Sequence, residues 1–294
     1  MQILLTGKDG QLGEELYPLL SSVANVVAVG RETCDLADPE AIRQVVDKTQ
    51  PDIIVNAAAY TAVDQAESES ELAMAINGKA PGILAAEAQR LGATLIHVST
   101  DYVFNGAKNT PYLETDETQP LGLYGESKLA GEQAIIATDA NAVIIRTAWV
   151  YGAGGKGNFV KTMLRLAGQR EELGVVVDQV GTPTWTGDLA QAIVELIPQL
   201  NSETYGMYHY TNSGVTSWYD FAVAIFEEAQ TLGIPLKIQQ VKPITTAEYP
   251  TPASRPAYSV LSNRKISQVL GHHPPHWRQG LRKMLKQWSA TQSC

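Results

Sequence analysis

The chain has 294 residues, 44% of them hydrophobic, with a formal net charge of −9 and a pI near 5.1. That is enough apolar material for one large or two smaller packed units, which excludes wholesale disorder, and the acidic balance argues against nucleic acid as a partner. The two cysteines, Cys34 and Cys294, form no CxxC pair and no ligand cluster, which argues against a disulfide framework or a structural zinc.

The opening "MQILLTG" lacks the basic region and long apolar run of a secretory signal. No stretch approaches the roughly 20 apolar residues of a membrane span. A cytoplasmic protein without a membrane partner is the expectation.

In chain order, "QILLT" (2–6) is a strand-length apolar run, and "QLGEELYPLL" (11–20) spaces its leucines as a helix does. "ANVVAVG" (24–30) reads as a second strand. "DPEAIRQVVDKTQ" (38–50) reads as a helix, with an Asp cap and a Pro in its first turn. "PDIIVNAAA" (51–59) is a third strand. Residues 69–92 form a long helix, or two with a break near Gly78. "ATLIHVST" (93–100) is a fourth strand, 124–138 a helix and "AVIIRTAWVYG" (142–152) a strand.

Alternation at this pitch, with continuously apolar strands, predicts a parallel sheet covered by helices on both faces, a doubly wound, Rossmann-type α/β fold. After about residue 150 the pattern loosens. "GAGGKGN" (152–158) is a flexible segment, 159–169 and 217–233 are helices, and "ELGVVVD" (172–178) is a short strand. Residues 241–261 are an irregular Pro-rich loop, and 277–288 a closing helix. The expected division is residues 1–150 as a dinucleotide-binding domain and 151–294 mainly as a smaller substrate-binding domain, some of whose segments return to the sheet.

Gly7, Gly10 and Gly13 lie between the first strand and the first helix. In that setting glycines allow a tight turn, close approach of backbone N–H groups to a pyrophosphate, and helix–strand packing, with the helix N-terminus facing the phosphates. The second strand ends "AVGRET", with Arg31 and no carboxylate at its tip, which favours the 2′-phosphate of NADPH over NADH. Asp35 and Leu36 stand where they would flank the adenine.

Thr100 and Asp101 follow the fourth strand, and "YGESK" puts Tyr124 and Lys128 one helical turn apart on one face. A phenol is a sluggish acid at neutral pH; an ammonium close by would lower its pKa toward a useful range. Tyr-x-x-x-Lys alone is a weak pattern. Its strength comes from following a glycine turn, "NAAA" (56–59) and a Ser-Thr at a strand end.

This combination resembles the extended short-chain dehydrogenase/reductase superfamily and, within it, the dTDP-4-dehydrorhamnose reductases. The likeness rests on "GKDGQLG" (7–13), "PDIIVNAAAYTAVDQAE" (51–67), "VSTDYVFNG" (98–106), "PLGLYGESKLAGE" (120–132), "IIRTAWVYG" (144–152), "NFVKTML" (158–164), "DQVGTPT" (178–184) and "YPTPASRP" (249–256). It implies hydride transfer from NADPH, with NADH the lesser alternative, to the C4 ketone of a dTDP-sugar. It implies Tyr124 as proton donor, Lys128 on the nicotinamide ribose and Thr100 orienting the carbonyl. Asp101 and Trp149 would contact the sugar, and Asn158, Phe159 and Gln179 the nucleotide. Arg255 is a candidate for the pyrophosphate. Cofactor contacts implied by the match are Gly10, Gln11, Leu12, Ala57, Ala58, Ala59, Tyr60, Thr61, Tyr124 and Lys128.

Some members of that family hold Mg²⁺ at a dimer interface through glutamates. Glu15 matches one such position, but nothing near "TWTGDLA" (184–190) matches another, so no metal ligand is assigned and a homodimer stays an option only. The adjacent His272 and His273 point apart and no carboxylate completes a metal-ligand set, and "ESESE" (67–71) reads as a solvated helix start. Two alternatives remain. One is another sugar-nucleotide epimerase or reductase, or a dehydratase; Thr100-Asp101-Tyr102 lacks the dehydratases' glutamate. The other is a non-catalytic NADP-binding subunit such as the regulatory subunit of methionine adenosyltransferase.

Overall fold

The computed structural model describes residues 1–292; Cys294 lies outside the described residues. Its centre is a six-stranded parallel sheet in the order β10-β5-β4-β3-β1-β2. The strands are β1 (Gln2–Thr6), β2 (Asn25–Val29), β3 (Ile53–Asn56), β4 (Thr94–Thr100), β5 (Ala142–Thr147) and β10 (Gly206–His209). Short pairs lie outside it: β6 (Val150–Tyr151) with β9 (Thr184–Trp185), β7 (Glu172–Val176) with β12 (Gln240–Ile244), and β8 (Val180–Gly181) with β11 (Thr216–Ser217).

Period-two alternation along β1 splits the core. Ile3 and Leu5 pack with Leu12 and Leu16 of α1 (Gln11–Ser21), with Leu189 and Ile193 of α8 (Thr186–Leu196), and with Ile266 of α10 (Arg264–Leu270). Leu4 faces the other way, onto Ile42 and Val46 of α2 (Pro39–Thr49) and Leu84 and Ala88 of α5 (Ala80–Leu91). With both faces covered, most strand residues see aliphatic neighbours, which is why the strands read as largely apolar runs. A third core joins Val160 and Leu164 of α7 (Phe159–Ala167), Phe221 and Ile225 of α9 (Trp218–Thr231), and Leu281 and Met284 of α11 (Trp277–Gln292).

Three local features depart from the expected elements, each for a stated reason. The segment 69–92 does not simply break at Gly78. After a short α3 (Val63–Ala66), it runs α4 (Ser70–Ala73), a π-helical turn Met74–Lys79, then α5. The wide turn lets Asn77 reach back, its side chain accepting from Tyr60 N–H (2.9 Å) and donating to Tyr60 O (3.0 Å) and Ser127 Oγ (3.2 Å). Residues 142–152 are not one strand. Trp149 takes a left-handed backbone (φ +48°) and turns the chain between β5 and β6. The start of the Pro-rich stretch is β12, paired to β7 along an edge, where Pro243 removes no essential ladder bond.

The sheet order reverses beside β1, which has β3 on one side and β2 on the other. Such a switch point leaves a crevice at the carboxyl ends of the strands. Thr6 and Asn56 end the strands that flank it.

Candidate active site

That crevice opens into a cavity of about 830 Å³. Its floor is the first turn. Gly7 has φ +77°, and a Cβ there would meet Ala58 Cα at 2.8 Å; a Cβ on Gly13 would meet Gly7 O at 2.0 Å. Gly7, Gly10, Gln11 and Leu12 line the cavity, whereas Gly13 lies beneath, where it lets α1 pack on the turn. Ala57, Ala58, Ala59, Tyr60 and Thr61 form the opposite wall, and Arg31, Asp35 and Leu36 the far end. Arg31 is exposed and lies 3.8 Å from Asp35.

A carboxylate does reach the tip of β2, but from another segment. Asp9, in the glycine turn, lines the cavity beside Gly30, where an added Cβ would lie 2.0 Å from its Oδ2. Lys8 pairs with it at 2.5 Å. Position in the strand hid this residue; only the fold brings it there.

At the other end, Thr100 closes β4, and α6 (Leu123–Ile136) presents Tyr124 and Lys128. All three line the cavity together with Asp101, Tyr102 and Trp149. Glu67 accepts from Leu123 N–H at 3.0 Å, so part of "ESESE" anchors α6 rather than facing solvent. The Tyr102 and Tyr124 rings meet edge to face at 5.3 Å.

The electrostatics correct one expectation. Burial pushes the Tyr124 phenol up to about 12, opposed by a hydrogen bond with Thr100. Lys128 does not offset this. Its Nζ donates to Val98 O (2.7 Å) and lies 3.3 Å from His97 Nε2, and burial lowers its own pKa to about 8. Tyr124 is therefore firmly protonated at neutral pH, the state a proton donor requires. Burial raises Asp101 to about 6, against hydrogen bonds with Ser259 and Thr100, and its Oδ2 has no partner among the described residues.

Four nucleotide or phosphate candidates stand away from the cavity wall. Asn158 caps α7, accepting from Lys161 N–H (3.0 Å), and donates to Gln11 Oε1 (2.6 Å), which ties the 152–158 segment to the glycine turn. Phe159 packs among Trp218 and Phe221. Gln179 is buried and donates to Thr246 Oγ1 (3.1 Å). Arg255 pairs with Asp64 at 2.8 Å, directly behind Tyr102, so its charge is already matched. The cavity wall also includes Lys156, from the glycine-rich 152–158 segment.

Trp149 stacks on Trp218 at 3.5 Å with 7° between the planes. Among the described residues no three His, Cys, Asp or Glu side chains converge as metal ligands. Glu15 accepts from Gln287 (2.9 Å), and His272 and His273 bond separately to Glu195 and Ser267. No helix among the described residues is long and apolar enough to cross a membrane.

The family model described as "RmlD substrate binding domain" matches residues 1–290. A dTDP-4-dehydrorhamnose reductase of Escherichia coli is 47% identical over 99% of this chain and 99% of its own length. The crystal structure of a dTDP-4-dehydrorhamnose reductase from Clostridium acetobutylicum superposes with a TM-score of 0.91 at 40% identity, covering 98% of this chain and 100% of that one. Another from Bacillus anthracis, in complex with NADP, superposes at 0.90 with 38% identity, covering 97% and 99%. With a parallel sheet, a glycine-turn cradle and a Thr/Tyr/Lys set in one cavity, the chain belongs to the dTDP-4-dehydrorhamnose reductase family.

Proposed function

We propose that the protein reduces the C4 ketone of dTDP-4-dehydro-β-L-rhamnose to dTDP-L-rhamnose with NADPH. The observation that carries this reading is the single cavity whose wall includes Thr100, Tyr124 and Lys128 at one end and the Gly7–Leu12 turn at the other. The relatives' names and the NADP-bound relative supply the substrate class and the cofactor.

The residues fit a dinucleotide. The turn is a cradle that any Cβ at Gly7 would fill, and the helix start at Gly10 carries no side-chain cap, so its N–H groups face anions. Gly7, Gly10, Gln11 and Leu12 would hold the pyrophosphate, and Arg31 the 2′-phosphate. Asp35 and Leu36 would flank the adenine, and Ala57 to Thr61 the rest of the dinucleotide.

NADPH, when bound, would supply the hydride. Tyr124, protonated by virtue of its burial, gives its proton to the C4 oxygen as negative charge builds there. Thr100, already hydrogen-bonded to Tyr124, orients that oxygen. Asp101 and Trp149 hold the sugar, and Lys128 the nicotinamide ribose.

We also read residues 1–150 as the NADP-binding unit and the remainder as mainly the sugar-nucleotide unit. The reading places the enzyme in the cytoplasm and leaves a homodimer as the assembly to test by sedimentation. Incubation with candidate 4-keto sugar nucleotides tests the activity. Loss of reduced-nicotinamide absorbance together with conversion of the C4 ketone to a C4 hydroxyl supports it; no consumption with any dTDP-4-keto sugar refutes it.

A further inference from the structure

One polar row crosses strands β1, β3 and β4. Thr6 of β1 is in register with Asn56 of β3, and Asn56 with His97 of β4; all three are buried. Thr6 Oγ1 donates to Asn56 Oδ1 at 2.7 Å, and the Ala58 N–H, from the cavity wall, donates to the same oxygen at 3.2 Å. Asn56 Nδ2 lies 3.0 Å from His97 Nδ1, and His97 Nε2 lies 3.3 Å from Lys128 Nζ.

A backbone N–H can only donate, so Ala58 fixes the Asn56 amide with its oxygen toward the turn and its NH₂ toward His97. His97 Nδ1 is then an acceptor. Burial keeps the ring neutral, so its one proton sits on Nε2 and points at Lys128. Lys128 Nζ meanwhile donates to Val98 O at 2.7 Å. An ammonium has donors only; a neutral amine can donate to Val98 and accept from His97.

We propose that His97 is a positioning residue that favours the neutral amine of Lys128 in the cofactor-free enzyme, and that in alkaline solution Lys128 takes up one proton when NADPH binds. The proposal rests on the NADPH-dependent reading of this cavity. The step is a protonation alone: the amine lone pair forms an N–H bond to a proton given up by a buffer acid, whose own bond to hydrogen breaks and leaves the conjugate base.

Burial disfavours the Lys128 ammonium and the charge of Glu132 favours it, while His97 is the neighbour whose N–H points at Nζ. Glu132, a turn further along α6, is held by Arg146 of β5 (2.6 Å) and by Ser99 of β4 (2.5 Å). Tyr124 is a neutral phenol, on which Asp101 bears, and the π-helical turn packed against α6 contributes uncharged Asn77. Burial brings the lysine to about 8, which opens a window above that pH. The ribose hydroxyls that Lys128 would hold then accept from the ammonium and favour it.

Calorimetric titration of the wild-type protein with NADPH, in two buffers of different ionisation enthalpy, counts the proton directly. About one proton taken up per NADPH near pH 9, falling several-fold near pH 6.5, is expected from a lysine of lowered pKa. Binding without buffer dependence near pH 9 overturns the proposal, whereas no binding at all overturns the cofactor reading instead. His97→Gln keeps an acceptor and a donor and should retain the uptake. His97→Met removes the donor and should reduce uptake to less than about half; wild-type uptake in a folded His97→Met protein overturns the role of His97.

Discussion

Glu67 Oε1 accepts a hydrogen bond from the backbone N–H of Leu123 at 3.0 Å, closing the first turn of the helix that carries Tyr124 and Lys128. A carboxylate at a helix N-terminus satisfies an orphan donor and complements the dipole. Glu67→Ala should cost about 1 kcal/mol, the size of a lost cap. Urea melts check this, and turnover should fall more than NADPH affinity because the helix end that moves bears Tyr124. Unchanged melting and kinetics would make the contact incidental.

Tyr124→Phe removes the only proton that the proposed mechanism draws from the enzyme. Turnover should fall by roughly 10²-fold or more, the scale of a lost general acid, while NADPH still binds. Steady-state kinetics beside fluorescence titration of the cofactor separates the two effects.

Cofactor choice should depend on two residues of opposite charge at the tip of β2. Arg31→Asp should swing the kcat/KM ratio from NADPH toward NADH, because a carboxylate repels a 2′-phosphate and accepts from a 2′-hydroxyl. Asp9→Asn should move the ratio the other way, since Asp9 already places a carboxylate beside Gly30. A ratio that stays put in both variants would show that neither side chain reads the 2′ position.

Asp101 provides a pH signature. Its folded pKa of about 6 lies above the ordinary 3.8, so the folded state binds its proton more tightly than the unfolded chain does. Its contribution to stability is fully present below about pH 4 and is lost as pH rises through about 6. Asp101→Asn should abolish that slope. By the same linkage it should be more stable than wild type near pH 7 by on the order of 2 kcal/mol, less the hydrogen bonds an amide NH₂ cannot accept. It should also raise KM for the sugar nucleotide. Thermal melts across pH 4–7 provide the comparison.

Trp149 owes its place to a neighbour without a side chain. A Cβ on Gly181 would sit 2.6 Å from Trp149 Cε2. Gly181→Ala should displace the Trp149–Trp218 stack and raise KM for the sugar nucleotide about tenfold, as small misplacements at a site do. The affinity for NADPH should be unchanged, because the cofactor cradle lies at the other end.

Much of the molecule is written in local pattern. Apolar runs at 2–6, 53–56 and 94–100 are strands because both of their faces are covered, and Asp38 begins α2 because its side chain accepts from Glu40 N–H at 2.9 Å. The later elements were harder to read. Strand β10 is only four residues long, and β12 contains a proline; each owes its state to a partner strand distant in sequence. Trp149 and the π-helical turn at Met74–Lys79 obey tertiary demands, a turn between two strands and the reach of Asn77, that no local propensity encodes.

What the sequence determined by itself was the glycine turn, the parallel sheet and the Tyr124–Lys128 pair, because each depends on spacing within one segment. Tertiary structure alone decided that Asp9 sits at the tip of β2, that Arg255 is matched by Asp64, and that Lys128 faces His97 rather than the phenol. These are contacts between segments far apart in the chain, and burial, which sets the charge state of Tyr124, Lys128 and His97, exists only once those segments pack.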